Sequence, residues 1–341
     1  MKLLEWGKGM EQAKKTAIAF YEENLIKSVL ASIEKHGGRK CLSSIILTGS
    51  FGRGEPTYKI DNEGHFQLKS DVEIALIFPK SSKKEMVERI IRDVSQEFDE
   101  DLNLMAVNEA RVRNAYNFNF SVRVPKYKTI FTYDLFNGSR TIWGQDYIGL
   151  KDIKLSDVDV YEAKRLVANR IGELVYIKNN TDDRDKKAYL KMQWKGKLVL
   201  AIVSAWLICE GEYVSSYHGQ YKKIKGRISD IEKILGKDFF KEYDKVFGFL
   251  REDKPVYDIP DKKLVEYIKQ MDQYFKKNNI DKPKVNSSSR VIKYLLKYVK
   301  SGLNYGILGF ENNILQALIS DFGKKSNALK KDADVWYRVL Y

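Results

Sequence analysis

The fold of this chain is decided by two stretches, LTGSFGRGE at residues 47–55 and SDVEIAL at residues 70–76. The first stretch ends a β-branched run, Ser44 to Thr48, and therefore predicts a strand that enters a glycine-rich turn. The second begins an apolar run, Val72 to Phe78, that predicts the next strand. Polar residues separate the two stretches, and we expect a hairpin insertion there, from Tyr58 to Lys69.

Two carboxylates, Asp71 and Glu73, lie one residue apart at the start of the second strand. Side chains two positions apart on a strand point to the same face, about 7 Å from each other. Carboxylates in an apolar strand are costly unless they face solvent or a cation, and Mg²⁺ prefers oxygen ligands of this kind. The pattern therefore indicates either a magnesium site or ordinary surface acids on a half-exposed edge strand.

The glycine-rich turn that precedes them favours the magnesium site. Gly49 lets the backbone approach a phosphate closely, Ser50 offers a hydroxyl and an amide, and Arg53 offers a guanidinium. The turn is not a Walker loop, because no Gly-Lys-Ser/Thr follows it. It also differs from a dinucleotide-binding turn, because its glycines lead into a polar insertion and not directly into a helix.

Together the two stretches resemble the signature of the DNA polymerase beta-like nucleotidyltransferase superfamily, which is a strand, Gly-Ser or Gly-Gly, a spacer, and Asp-x-Asp/Glu on the next strand. The resemblance implies an enzyme that moves a nucleoside monophosphate from a nucleoside triphosphate such as ATP to a hydroxyl or phosphate acceptor, with Mg²⁺ at a two-metal site. It implies that Asp71 and Glu73 are the catalytic residues and metal ligands. It also implies that Gly49, Ser50 and Arg53 bind the triphosphate.

A third carboxylate usually completes this site in active members of the superfamily. The strand that would carry it, Phe118 to Val124, contains no acid. Asp134, on a strand expected from Thr129 to Phe136, or Asp101, before a strand expected from Leu102 to Val107, could replace it. If neither does, the metal has two protein ligands plus the triphosphate, or the chain is a degenerate binding module.

We expect an α+β protein in which a small mixed-sheet nucleotidyltransferase domain is followed by a mostly helical domain. The first domain covers residues 1–150 and the helical domain residues 151–285, while residues 286–341 form a C-terminal helical extension. Residues 133–144 resemble the segment that closes the first domain in several bacterial members of the superfamily. Residues 195–217 resemble the helical domain of kanamycin-type nucleotidyltransferases. Helices are expected at residues 11–36, Val160 to Ile177, Asp185 to Glu210, Ile224 to Leu235, Lys262 to Lys276 and Ser289 to Val299.

Two groups of residues in the helical half each have two interpretations. Lys195 and Lys197 stand where such folds often place a triphosphate-binding lysine, although a solvated helix face is the favoured interpretation. Tyr213, Tyr217 and Tyr221 recur at helical spacing and could stack on a base, although core packing is favoured.

Composition bounds the partners and the location. The net charge is +14, of which residues 1–150 carry +2 and the remainder +12. Such asymmetry suits either an anionic partner or an ordinary lysine-rich surface. Among anionic partners, a triphosphate is favoured over nucleic acid because the lysines are spread across several predicted helices. Cys41 and Cys209 cannot build a disulfide framework, which favours the cytoplasm. No apolar stretch predicts a membrane span.

The sequence leaves the acceptor open. The resemblance of the helical half favours modification of a small molecule. The alternatives are a synthase that makes a nucleotide second messenger from triphosphates, and a catalytically degenerate module that binds nucleotide or RNA.

Overall fold

The structure is a computed structural model, and it describes most of the chain between residues 22 and 280. The described residues are 19, 22–35, 41–60, 66–68, 71–97, 102–108, 129–180, 184–252 and 254–280. They form a small four-stranded mixed sheet and a mostly helical remainder, which confirms the predicted α+β class. The chain divides into two units: the first takes its residues from 1–123 and 134–152, and the second from 124–133 and 153–341.

The first unit contains the strands and the helices that cover them. In chain order its elements are α1 (residues 22–35), β1 (Ser44–Thr48), the one-turn helix α2 (Gly49–Gly52), β2 (Tyr58–Ile60), β3 (Phe66–Leu68), β4 (Val72–Phe78), α3 (Lys84–Glu97), β5 (Leu102–Asn108), α4 (Ile130–Asn137) and β6 (Arg140–Gly144). The division between the two units runs through α4, after Tyr133.

The main sheet has the strand order β5-β4-β1-β6. β1 pairs antiparallel with β4 and with β6, whereas β4 pairs in parallel with β5. The bounds of β1 and β4 agree with the sequence prediction, and β5 ends one residue later than predicted. The predicted hairpin insertion is confirmed as β2 and β3, which pair antiparallel as a separate two-stranded sheet.

Alternation along β4 explains how the sheet buries one apolar face. Every second residue of β4, starting at Val72, packs towards α1 and α3, because successive side chains on a strand point to opposite faces. Burial of each such side chain contributes about 1.5–3 kcal/mol. The cluster contains Leu25, Val29, Leu30, Ile33, Leu42, Ile45, Leu47, Phe51, Val72, Ile74, Leu76, Phe78, Val87, Ile90 and Val94. The intervening residues of β4, with Glu73 first among them, therefore point to the other face.

The residues that were expected to form a strand from Thr129 to Phe136 form the helix α4 instead. That prediction was wrong because it relied on the strand propensity of β-branched and aromatic residues, which tertiary contacts override. The backbone N–H of Thr132 donates a hydrogen bond to Thr129 Oγ1 at 3.1 Å, which is the side-chain cap that begins a helix. The backbone N–H of Ile130 donates to Glu162 Oε2 at 3.3 Å. Two of the unpaired N–H groups at the helix start thus find partners.

The second unit is helical. After a 3₁₀ turn (Leu155–Asp157), its helices are α5 (Tyr161–Asn180), α6 (Arg184–Cys209), α7 (Tyr217–Lys225), α8 (Ile228–Leu235), α9 (Phe239–Arg251) and α10 (Asp261–Lys277). The predicted helices that correspond to α5, α6 and α10 are confirmed to within three residues at each end. The sequence analysis did not predict α9.

The prediction of a single helix from Ile224 to Leu235 is wrong, because the structure has two helices there. α7 ends before Gly226, and Arg227, whose φ of −134° is not helical, precedes α8. The backbone N–H of Arg227 donates to the Ile224 carbonyl at 2.8 Å and closes a tight turn. A single glycine in a periodic pattern is often tolerated inside a helix, which is why the pattern alone missed this break.

α6 contains a long apolar segment. Its segment Ala188–Cys209 is the one helix among the described residues that is long and apolar enough to cross a membrane, and 72% of that segment is buried in the structure. Most of its residues from Leu198 to Ile208 belong to the core cluster that α5, α9 and α10 also line. A helix that is apolar on all sides is expected when most of its surface is packed against neighbours.

Several sequence predictions lie outside the described residues. They are the strand at Phe118 to Val124, the helix at Ser289 to Val299, the C-terminal extension 286–341, the part of the first helix before residue 22, and Asp101.

Candidate functional site

The two sequence motifs meet at one edge of the sheet because β1 and β4 pair antiparallel. Thr48, the last residue of β1, lies directly opposite Glu73. The Thr48 hydroxyl donates a hydrogen bond to the Glu73 carbonyl oxygen at 3.3 Å. Asp71 lies just before β4 and is exposed. Strand pairing therefore brings the Gly49-Ser50 turn beside Glu73, although 20 residues of chain separate Ser50 from Asp71.

The Glu73 side chain lies against the backbone of Gly49. The φ angle of Gly49 is +61°, a left-handed conformation that favours glycine. A β carbon built on Gly49 would lie 1.8 Å from Glu73 Oε2 and 2.7 Å from Glu73 Cδ. Glycine at this position is therefore required both by the turn and by the close approach of the carboxyl group.

The residues that follow Gly49 form the one-turn helix α2. The backbone N–H of Arg53 donates to the Gly49 carbonyl at 3.2 Å, and that of Glu55 donates to the Ser50 carbonyl at 2.8 Å. The Phe51 ring is buried in the core cluster under the sheet. Main-chain hydrogen bonds and one buried ring thus determine the shape of the turn.

The turn also packs against the connection between α4 and β6. A β carbon at Gly52 would lie 2.5 Å from the Leu47 carbonyl oxygen and 2.7 Å from the Gly138 carbonyl oxygen. The Gly138 N–H donates to the Asp134 carbonyl at 2.7 Å, so Asp134 lies one helical turn before this contact. The expectation that Asp134 lies on a strand was wrong, because α4 carries it.

Ser50 and Asp71 present oxygen atoms at this edge of the sheet. Ser50 is half-buried and Asp71 is exposed. Neither side chain forms a hydrogen bond or an ion pair with another described residue. Their oxygen atoms can therefore contact a ligand without first losing a protein partner within the part of the chain that is described.

The Arg53 side chain is mostly buried beside a carboxylate, whereas a phosphate ligand would be expected to be exposed and unoccupied by an acid. Its side chain is 12% exposed, and its Nε lies 3.6 Å from a carboxylate oxygen of Glu55, whose side chain is 9% exposed. A guanidinium has five N–H donors in a planar fork, so Arg53 would have to divide these donors between Glu55 and a phosphate.

The donors at this edge suit magnesium in kind, because Asp71 and Glu73 supply carboxylate oxygens and Gly49 leaves room for the Glu73 carboxyl group. Over the described ranges of the chain, no group of three or more His, Cys, Asp or Glu side chains is placed to hold a metal ion. Asp134 therefore forms no such group with the pair there.

Lys195, on α6 in the second unit, is buried and not on a solvated helix face. Its side chain is 3% exposed, and Nζ lies 2.6 Å from Asp258 Oδ1 and 2.6 Å from Asp261 Oδ1. Nζ also donates a hydrogen bond to the Ile259 carbonyl at 2.8 Å. Although partial burial raises the pKa of Asp261, the hydrogen bond and charge of Lys195, aided by Lys191, outweigh it and hold that pKa below its ordinary value. These contacts occupy Lys195 within the fold.

The tyrosines at 213, 217 and 221 pack into the helical core, as the favoured interpretation predicted. Tyr213 is buried, and Tyr217 and Tyr221 pack against the same cluster. The Tyr221 hydroxyl donates to Asp244 Oδ1 at 2.5 Å, which raises the pKa of Tyr221 to about 12. The ring of Tyr221 lies 4.5 Å from that of Phe247, centroid to centroid. These rings are therefore structural.

The basic run around residues 222–227 is partly neutralised within the second unit. Arg227 forms ion pairs with Glu210 at 2.9 Å, Glu212 at 2.6 Å and Asp230 at 3.0 Å. Its guanidinium also lies 4.6 Å from the centre of the Trp206 ring. The hydrogen bond with Glu210, the largest cause, raises the pKa of Arg227 further above its already high value. Arg227 is thus committed to the fold.

The sequence analysis overlooked two residues that shape the candidate site. Thr48 holds the Glu73 backbone, and Gly52 allows the turn to contact the chain at Gly138. A polar residue at the end of the otherwise apolar strand SIILT was the available signal for Thr48. No local signal marked Gly52, because its neighbour Gly138 is distant in sequence.

A scan against models of protein families finds no match to this chain, and a search of curated proteins finds none either.

Proposed function

We propose that this chain is a Mg²⁺-dependent nucleotidyltransferase with a polymerase beta-like catalytic domain. It would move a nucleoside monophosphate from a nucleoside triphosphate to a hydroxyl or phosphate group of a small molecule. The observation that carries the proposal is the pairing of Thr48 with Glu73, which sets the Gly49-Ser50 turn beside the Glu73 carboxylate, with Asp71 two residues earlier in the chain. Neither motif alone would distinguish a catalytic site from a surface turn or surface acids.

Asp71 and Glu73 are the proposed metal ligands. Mg²⁺ bound there supplies charge that activates an attacking oxygen and offsets the charge of the departing pyrophosphate. Glu73 lies against Gly49, and its backbone is tied to Thr48, so its carboxyl group has a defined starting position. Asp71 is exposed at the strand start and can turn towards the same ligand.

Gly49 and Ser50 are the proposed triphosphate ligands. The glycine has no side chain to keep a phosphate away from the backbone, and the serine offers a half-buried hydroxyl. Arg53 lies in the same turn, and its positive charge would attract the phosphate. Its guanidinium would then interact with both the phosphate and Glu55. The net charge of +12 beyond residue 150 is compatible with an anionic substrate, because positively charged proteins attract anions.

The test is incubation of the purified protein with each of four α-labelled nucleoside triphosphates and Mg²⁺, followed by separation of the products. We expect pyrophosphate release and label transfer that are lost in Glu73→Gln. The matched control is Glu85→Gln, which removes an exposed carboxylate from α3. Products formed without an added acceptor would instead indicate synthesis of a nucleotide second messenger. Label transfer at the wild-type rate by Glu73→Gln would contradict the proposed metal site.

A second candidate function is a nucleotide-binding module without turnover. It is favoured by the observation that, in the described part of the chain, no third acidic or metal-binding side chain joins Asp71 and Glu73. This candidate predicts tight binding of triphosphate with no pyrophosphate release in the presence of varied acceptors. Pyrophosphate release that depends on Mg²⁺ excludes it.

A further inference from the structure

Gly49 and Gly54 lie in the same loop and share an unusual backbone conformation. Their φ angles are +61° and +68°, so a side chain at either position would be strained by a similar amount. Their surroundings differ. A β carbon at Gly49 would lie 1.8 Å from Glu73 Oε2, whereas a β carbon at Gly54 would meet nothing within 4 Å. The positive φ angle favours glycine at both positions. At Gly49, but not at Gly54, a side chain would also collide with a neighbouring residue.

The space in front of Gly49 is filled by the end of the Glu73 side chain. The position of a β carbon on Gly49 lies 1.8 Å from Oε2, 2.7 Å from Cδ and 3.3 Å from Cγ of Glu73. The carboxyl group therefore stands where residue 49 would otherwise have its own side chain. The nearest atoms are the far end of a flexible side chain, so a side chain at position 49 would displace that carboxyl group more readily than the backbone.

The backbone of Glu73 is paired with a neighbouring strand on each side. Glu73 is opposite Thr48 in the β1–β4 ladder, and the Thr48 hydroxyl donates to the Glu73 carbonyl at 3.3 Å. Its parallel pairing partner on β5 is Asn103. Because strand pairing holds the main chain of Glu73 on both sides, we expect a side chain at position 49 to displace the Glu73 side chain and not its backbone.

We infer that Gly49 is a positioning residue for Glu73: the missing side chain at 49 leaves the space in which the Glu73 carboxyl group rests beside the Gly49-Ser50 turn. The inference rests on the proposed function only for what that carboxyl group binds. The position of the Glu73 carboxyl group does not depend on the proposed function, and it can be tested without measuring turnover.

The test compares Gly49→Ala with its matched control, Gly54→Ala. Both variants introduce an alanine at a positive φ, so both should lower the midpoint of urea unfolding by a similar amount. Mn²⁺, titrated by paramagnetic resonance as the probe for the metal site, should bind Gly49→Ala about 10–100-fold more weakly than wild type, as is typical when a group that orients a ligand is lost. Gly54→Ala should stay within about threefold of wild type.

A second variant distinguishes the collision with the Glu73 carboxyl group from the backbone strain of alanine at a positive φ. Glu73→Asp shortens the side chain by one methylene and retracts the carboxyl group from the added β carbon. The double variant Gly49→Ala/Glu73→Asp should therefore bind Mn²⁺ more tightly than Gly49→Ala alone. Equal losses of Mn²⁺ affinity in Gly49→Ala and Gly54→Ala, or no recovery in the double variant, would overturn the inference.

Crystal structures of both glycine variants keep the inference apart from the proposed function. We expect the Glu73 carboxyl group of Gly49→Ala to move by at least about 1.6 Å, which is the difference between 1.8 Å and an ordinary contact of 3.4 Å. We expect it to stay in place in Gly54→Ala. If wild type binds no Mn²⁺, the proposed metal site fails, and these structures still decide the role of Gly49. A Glu73 carboxyl group that is unmoved in Gly49→Ala would refute that role.

Discussion

Thr48 and Glu73 stand opposite each other where β1 ends and β4 begins, and the Thr48 hydroxyl donates a hydrogen bond to the Glu73 carbonyl. This single pair of residues relates the glycine-rich turn to the acidic strand. The turn begins one residue after Thr48, and the other carboxylate, Asp71, lies two residues before Glu73. The chemistry proposed for the site therefore depends on the register between these two strands.

Substitution of Asp71 by Asn should abolish nucleotidyl transfer without unfolding the chain. Asp71 is exposed, so its loss removes a metal ligand and no core contact. Loss of one ligand should lower the rate by roughly 10³-fold or more, which corresponds to about 4 kcal/mol of transition-state stabilisation. The measurement is pyrophosphate release by Asp71→Asn, with circular dichroism as the check on folding. Asp152→Asn, which changes another exposed aspartate, is the control. A folded Asp71→Asn protein that turns over normally would disprove the metal assignment.

Substitution of Asp134 by Ala tests whether a third carboxylate takes part. Asp134 lies on α4, one turn before the Gly138 segment that contacts Gly52. If Asp134 is the third ligand, Asp134→Ala should lose turnover and still bind triphosphate, because the Gly49-Ser50 turn is intact. Calorimetric titration with a non-hydrolysable triphosphate, beside a turnover assay, separates these properties. Full activity in Asp134→Ala would show that the third ligand lies elsewhere or is not required.

Substitution of Lys195 by Met should destabilise the second unit and leave the Michaelis constant for triphosphate unchanged. Lys195 is buried and pairs with Asp258 and Asp261, which are more than half exposed and regain water when the lysine is removed. We therefore expect a loss of about 1–2 kcal/mol, less than for a fully buried pair. Urea unfolding measures it, and Lys191→Met, which changes a more exposed partner of Asp261, is the control. A large rise in the Michaelis constant with unchanged stability would restore the triphosphate-binding interpretation.

Asp146 should make the stability of the protein depend on pH in the acid range. A hydrogen bond from the Thr141 hydroxyl at 2.7 Å, followed by one from the Gly149 N–H at 3.2 Å, holds the pKa of Asp146 below its ordinary value of 3.8. A carboxyl group whose pKa is lower in the folded chain stabilises the fold at pH values above 3.8 and loses this effect as the pH falls through the folded pKa.

The measurement is the melting temperature of wild type and Asp146→Asn over a range of pH. The wild type should melt higher at neutral pH, and the difference should narrow as the pH falls below about 4. Asp152→Asn provides the comparison for loss of a negative charge alone. A difference that widens towards low pH would contradict the sign derived from the Thr141 contact.

Single-stranded RNA should bind weakly and with a shallow dependence on salt. A groove that makes six or more phosphate contacts would lose about 10³-fold in affinity between 50 and 200 mM salt, because binding releases counterions. Arg227 is already paired with three carboxylates, and the other lysines in the described part of the second unit are spread over several helices. Filter binding at the two salt concentrations measures the slope. Tight binding that falls steeply with salt would favour a nucleic-acid partner.

The main strands and the long helices follow from the sequence alone. β1, β4 and the β2–β3 hairpin were predicted because alternation of apolar residues and turn-forming residues are local signals. The candidate site was also predicted in its composition, since Gly49, Ser50, Asp71 and Glu73 are recognisable by type and spacing. What these signals have in common is that each is read from residue types and their spacing along the chain.

Only the tertiary structure decided the state of residues 130–137 and the environment of Lys195. The first segment has the residues of a strand and forms a helix, because Thr129 caps it and Glu162 of α5 accepts one of its N–H groups. Lys195 has the charge of a surface residue and is buried, because Asp258 and Asp261 meet it from the start of α10. Both outcomes depend on partners more than 30 residues away in the chain.

The contact between Gly49 and Glu73, at the candidate site itself, was likewise not predictable from the sequence. The sequence identifies a glycine suited to a turn and a glutamate suited to a metal, each from its own neighbours. Their contact through space is decided by the antiparallel register of β1 and β4, in which a shift of one residue would turn Glu73 to the opposite face. The sequence thus determined which residues are available, and strand pairing determined which of them touch.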